Sequence, residues 1–225
     1  MRERALSIIL ALVAVALAGP ASAVDLQTEE HKILYALGLN ISSSLAPFNL
    51  TGEELPMVEA GLADGVLGKE PRVSLDTYGK KIQELLQSRM ETAAAEESKR
   101  AEPFLEKAAA AKGAQKTASG LIYSEITPGT GEHPAATDTV KVHYHGTLTD
   151  GTVFDSSVDR GTPASFALNR VIKCWTEGVQ LMKVGGKSKL ICPPEIAYGT
   201  RGSPPKIKPG ATLVFEVELL EIVKK

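Results

Sequence analysis

Three pairings of residue type and spacing in this sequence have chemical content. Asp155 and Arg160 stand five residues apart, a separation that suits an ion pair across a loop. Such a pair would keep the carboxylate charged even where it is partly buried, although an ordinary exposed loop salt bridge contributes only about 0–1 kcal/mol. His143 and His145 lie two apart on a segment of strand character and so share a face, which is the beginning of a metal site, but no third ligand is placed to complete one. Cys174 and Cys192, 18 residues apart, fit neither a CxxC redox pair nor a zinc knuckle. They are either a disulfide or two buried cysteines acting as small apolar side chains. Among them lie the aromatic residues Tyr144, Phe154, Phe166, Trp175, Tyr198 and Phe215. Taken one at a time, such rings are core residues.

The elements that must position these residues begin after Ser119-Gly120. Segments 121–126, 140–148, 187–192 and 212–220 read as strands separated by Gly, Pro and Asp, and 174–182 is one short helical segment. The expected fold here is α+β, a twisted antiparallel sheet wrapped over one short helix. Ahead of it the pattern is all-α. Thr28 is placed to cap a helix carrying Leu34, Leu37, Gly38, Ile41 and Leu45, ending near Pro47. Thr51 and Glu54 form a capping-box pattern before Leu55, Val58, Leu62 and Val66, with Gly68 as the stop. A third helix starts at Ser74 and continues to Lys112. Beyond Met90 it is polar enough to be a solvated stalk, with a kink or a fresh start at Pro103. Two short amphipathic helices and one long one make a small core for a monomer, so a homodimer through residues 24–113 is the physical expectation.

The chain's 225 residues are 43% apolar with a net charge of −2, which leaves no broad basic field for a nucleic acid. Arg2 and Arg4 precede an apolar run from Ile8 to Leu17, then Gly19, Pro20 and Ala21-Ser22-Ala23. That is the layout of a secretory signal peptide cleaved after Ala23. The run is short of the roughly 20 residues that span a bilayer, and no cysteine stands at the cleavage site to take a lipid. The expected organisation is therefore a signal peptide (1–23), a helical dimerisation domain with its stalk (24–113) and an α+β domain (114–225), located in the periplasm. Outer-membrane association and secretion stay open.

The C-terminal half resembles the FK506-binding-protein (FKBP) family. The matching runs are Val142-His143-Tyr144-His145-Gly146, Asp150 through Ser157, Val171-Ile172, Trp175-Thr176-Glu177-Gly178, Ala197-Tyr198-Gly199 and Ala211 through Leu219, in family order across about 105 residues. The helical half, with Tyr35-Ala36-Leu37-Gly38, is similar to the dimerisation domain of FkpA-type and Mip-type (macrophage infectivity potentiator) members. The resemblance implies a peptidyl-prolyl cis-trans isomerase acting on exported proteins, with no cofactor and no metal. Peptide-bond rotation faces a barrier of about 18–20 kcal/mol, and twisting the bond breaks conjugation and makes the carbonyl less dipolar. A dry apolar pocket then favours the twisted amide over the planar one.

By the same resemblance, Trp175 is the floor on which the proline ring stacks, and Phe154, Phe166, Val171, Ile172, Tyr144, Ile207 and Phe215 are walls. The Ile172 N–H and the Tyr198 hydroxyl would each hold a substrate carbonyl. Asp155, oriented by Tyr144 and Arg160, would lie near the carbonyl that rotates. The sequence departs from the family pattern at Ala164, where many members carry a second pocket-edge Phe, at Cys174, which replaces the Gly before the Trp, and at Lys206, at a position often Ile. These departures put macrolide (FK506-like) binding and the residue preference before proline in doubt more than isomerisation itself. The competing functions are a holdase that grips unfolded chains with little catalysis, and a surface virulence factor.

Overall fold

The computed structural model describes residues 25–223. The signal peptide expected over 1–23 lies outside the described residues. The chain divides between Ile41 and Ser42 into two compact units, and the division falls inside the first helix, α1 (Glu29–Leu45). Thr28 starts α1 as expected, accepting a hydrogen bond from the His31 N–H on its hydroxyl at 3.1 Å. No α1 residue is buried, and Ile33, Leu34, Tyr35 and Leu37 are all more than half exposed.

The second unit continues from the end of α1 through a 3-10 turn (Ala46–Phe48) to α2 (Leu55–Val66) and α3 (Leu75–Ala109). The Thr51 N–H donates to the Glu54 carboxylate at 2.9 Å, which is the returning arm of the capping box. Arg89 of α3 also grips Glu54, and it donates to the Phe48 carbonyl at 2.8 Å. One guanidinium thus joins the 3-10 turn, the capping box and the long helix. The Arg89 and Thr51 bonds pull the Glu54 carboxyl down to about 2.

α3 runs for 35 residues through Pro103, so of the two outcomes expected there, a kink or a fresh start, the fresh start is absent. Proline removes one N–H, and the carbonyl left without that donor belongs to Lys99, an exposed residue. The expectation of a wholly solvated stalk also needs correction. Ala94 and Ala101 are buried, and Ala94 lies so close to Gly210 that a Cβ there would stand 2.4 Å from its carbonyl oxygen.

The α+β part contains β1 (Ala114–Lys116), β2 (Ile122–Thr127), β3 (Thr139–Leu148), β4 (Val153–Ser156), β5 (Ala164–Ala167), β6 (Lys187–Cys192) and β7 (Leu213–Val223). All neighbours pair antiparallel in the order β1-β2-β6-β7-β3-β4, and β5 also joins β3. β3 alternates strictly, burying Val140, Val142, Tyr144 and Gly146 and turning Lys141, His143 and His145 outward. The α-helix of this part, α4 (Lys173–Gln180), buries Cys174, Trp175, Gly178 and Val179. A side chain at Gly178 would meet the Leu190 methyls of β6 at 2.8 Å, so the glycine sets the closeness of helix and sheet. Cys174 and Cys192 are bonded as a disulfide with Cα atoms 5.7 Å apart, both fully buried. Among the described residues no helix is long and apolar enough to cross a membrane.

Candidate active site

A cavity of about 460 Å³ opens between β3, β4, β7 and the start of α4, within the size range of small-ligand sites. Trp175, on the buried face of α4, forms part of its lining. The rings of Tyr144, Phe166 and Phe215 meet it edge-to-face with centroids 5.3, 5.4 and 5.3 Å away. Phe154 stands edge-on to Phe215 at 5.4 Å. Edge-to-face contacts are the favoured aromatic geometry and fix the rings against one another. Room for them comes from Gly146, where a Cβ would lie 2.7 Å from the Phe154 ring and 3.1 Å from that of Phe215.

Strand alternation alone would send Phe154 and Asp155 to opposite faces of β4. The pairing shows how both reach the cavity. Gly146 pairs with Asp155 but Thr147 pairs with Val153, so Phe154 is the extra residue of a β-bulge. A bulge of this kind re-aims side chains beside functional sites.

Asp155 accepts hydrogen bonds from the Tyr144 hydroxyl on one oxygen and from Arg160 on the other. Arg160 also donates to the Tyr144 hydroxyl at 2.9 Å, closing a three-membered network. Burial works against the charged carboxylate, but the bonds from Tyr144 and Arg160 outweigh it, and Asp155 is held below its ordinary range. Burial, then the bond to Asp155, pushes Tyr144 upward. Asp155 and Arg160 are each about half exposed, so solvent screens the pair.

The backbone offers one further polar group. Ile172 precedes α4 and accepts from the Trp175 N–H through its carbonyl at 2.9 Å, while among the described residues its own N–H donates to no protein acceptor. Tyr198 lines the cavity with a 40% exposed side chain, and among the described residues its hydroxyl has no partner. Both are available to a ligand carbonyl. Val171 lines the wall between Arg170 and Ile172.

Of the residues singled out from sequence, Tyr144, Phe154, Asp155, Phe166, Val171, Ile172, Trp175, Tyr198 and Phe215 line this one cavity. Arg160 acts on it through Asp155. Ile207 does not line it; it is buried and lines a neighbouring cavity of about 380 Å³ with Pro204, Pro205 and α3 residues. The loop closes on itself through paired Ser203 and Ile207 backbone bonds, and Ile207 packs in the same hydrophobic core as Phe154, Trp175 and Phe215. Arg170 is a wall residue that sequence reasoning passed over, although it stands directly before Val171-Ile172. His143 and His145 face outward, each bonded to a serine hydroxyl, Ser157 at 3.1 Å and Ser156 at 2.9 Å.

Comparison with known proteins gives the same assignment for both halves. Residues 130–220 match the family model for FKBP-type peptidyl-prolyl cis-trans isomerase, and residues 30–124 match that for the domain amino terminal to it. The chain is 46% identical over 208 residues to the FKBP-type peptidyl-prolyl cis-trans isomerase FkpA of Aeromonas hydrophila, covering 87% of this chain and 77% of that one. It is 44% identical over 203 residues to the FKBP-type 22 kDa peptidyl-prolyl cis-trans isomerase of Escherichia coli, covering 87% and 97%. The crystal structure of FkpA from Escherichia coli superposes with a TM-score of 0.63 at 37% identity, covering 87% of this chain and 97% of that one. Fold, cavity and sequence relationship together show that the chain belongs to the FKBP-type peptidyl-prolyl cis-trans isomerases.

Proposed function

We propose that the aromatic cavity is where this isomerase turns X-Pro bonds of exported proteins. The observation that carries this is the Trp175 indole enclosed edge-on by three rings beside a carboxylate held by the Tyr144 hydroxyl and Arg160. The proline ring stacks on Trp175 between Phe154, Phe166 and Phe215. The Ile172 N–H and the Tyr198 hydroxyl hold flanking substrate carbonyls. Asp155 faces the carbonyl that rotates, and its orientation is set by Tyr144 and Arg160. Twisting the amide makes that carbonyl less dipolar, so the apolar enclosure favours the twisted state over the planar one without nucleophile or metal. The same cavity is large enough for part of an FK506-like macrolide.

The organisation proposed around this site is a signal peptide over 1–23, a helical dimerisation domain and stalk over 24–113 and the isomerase domain over 114–225, acting in the periplasm. The apolar side chains that α1 exposes, and those that α2 and α3 expose at Leu55, Met57, Leu62, Leu75 and Ile82, support a homodimer, because a second copy would cover them. Sedimentation of the chain as a single monomeric species across the micromolar range would overturn the dimer.

The site is tested by a cis-to-trans assay on an X-Pro peptide with the wild type, Asp155→Ala and Trp175→Ala, after circular dichroism shows all three folded. Acceleration by the wild type and a sharp fall in both variants is the expected result. Undiminished rates in the variants would move the site elsewhere.

A further inference from the structure

Arg170 closes the 3-10 turn Leu168–Arg170 and forms part of the cavity wall immediately before Val171 and Ile172. The cavity lining contains two charged residues, Asp155 and Arg170. Arg160 and the Tyr144 hydroxyl satisfy the first. No carboxylate among the described residues pairs with the second, which is solvent-exposed. The wall therefore presents one uncompensated charge, and it is positive. A second cation reinforces that sign at the rim, where the Lys206 ammonium donates to the Phe154 carbonyl at 2.8 Å.

The placement decides what this charge meets. Proline carries no charge and its ring belongs against Trp175. The Ile172 N–H two residues on from Arg170 is free to take a backbone carbonyl of the bound chain, and Arg170 lines the adjoining wall, so the residues flanking the proline would lie within its reach.

We propose that Arg170 is a specificity-determining residue that favours X-Pro segments with an acidic side chain next to the proline. This rests on the reading of the cavity as the isomerase site. A carboxylate there matches the planar fork of the guanidinium, whereas a lysine in the same place is repelled. Because Arg170 is exposed, water and salt screen the pair, and the preference for Glu over an uncharged isostere is roughly two- to fivefold at low ionic strength.

The experiment measures kcat/KM of the purified full chain on two peptide series, with Glu, Gln or Lys placed before the proline in one and after it in the other. Wild type, Arg170→Gln and Arg170→Glu are compared at low and high salt. Each protein is read as its own Glu-to-Lys ratio, which cancels any loss of folded enzyme. The expected result is a ratio well above one for the wild type in at least one series, shrinking with salt, near one for Arg170→Gln and below one for Arg170→Glu. Ratios of one for the wild type in both series at low salt, or a ratio unmoved by Arg170→Glu, would overturn the proposal while leaving isomerisation standing. Failure to accelerate the Gln peptides at all would overturn the cavity reading and this proposal together.

Discussion

Tyr144 and Arg160 meet at 2.9 Å, the guanidinium donating to the phenolic oxygen, and both donate to Asp155. The carboxylate is thus held from two sides by groups on different elements, β3 and the loop after β4. Because the Tyr144 ring also packs on Trp175, its hydroxyl and ring roles are separable. Tyr144→Phe keeps the ring and removes one donor, and kcat/KM should fall roughly threefold. Asp155→Ala removes the carboxylate itself and should cost roughly tenfold or more. Peptide assays on both variants check the order; a larger loss in Tyr144→Phe than in Asp155→Ala would assign the effect to the phenol.

The same network sets a pH dependence. Asp155 in the fold lies below its ordinary value of 3.8. A depressed carboxylate contributes its stabilisation above the ordinary value and loses it as pH falls through the lower folded one. Activity on an uncharged peptide should therefore be flat from neutrality down to about pH 4 and drop only below that. In Arg160→Gln the drop should begin at higher pH. Identical acid limbs in the two proteins would show that Arg160 does not hold the charge.

Glu54 carries a separate acid response in the helical region. Its folded value of about 2 lies under an ordinary 4.5, so its stabilising contribution is complete above 4.5 and disappears between 4.5 and 2. Urea unfolding of the wild type followed by helical circular dichroism should show stability falling across that window. Glu54→Gln should lose less on the same acidification.

Gly146→Ala places a methyl 2.7 Å from the Phe154 ring, a separation that real Cβ atoms do not adopt, and 3.1 Å from the Phe215 ring, which is tight. The rings must move, and the expected cost is about 1–3 kcal/mol of stability together with reduced kcat/KM. Thermal unfolding and the peptide assay measure the two effects. A variant with wild-type stability and rate would mean that the aromatic box is looser than its contacts show.

The Cys174–Cys192 disulfide closes an 18-residue separation and joins α4 to the end of β6. Cross-links of this length contribute about 3 kcal/mol. Reduction, or Cys174→Ala with Cys192→Ala, should lower the melting temperature while leaving the cavity's ring geometry and activity at lower temperature largely intact. Free-thiol titration of the native protein should find neither cysteine.

The strands at 187–192 and 140–148 and the caps at Thr28 and Glu54 were legible because each follows from local chemistry. Alternating apolar residues bury one face of a sheet, and a side-chain oxygen three residues from an amide closes a helix end. The aromatic and polar members of the site were legible only through family resemblance, since taken singly Phe154 or Phe215 reads as core. β1, β4 and β5, three or four residues long, have no period to read. Continuity of α3 through Pro103 runs against local propensity, which prices an interior proline without regard to its surroundings.

By itself, then, the chain's order of residues determined the two-part division into helices and antiparallel sheet, the helix caps and the family, because periodicity, capping and motif order are short-range properties of a linear text. Tertiary structure alone decided that Cys174 and Cys192 are bonded, that a bulge turns Phe154 and Asp155 toward one cavity, that Ile207 lines a second cavity and that Arg170 stands in the wall of the first. Each of these is a matter of how separate segments meet in space, set by sheet register and by the packing of α4 on that sheet, and neither is specified by the spacing of the residues concerned.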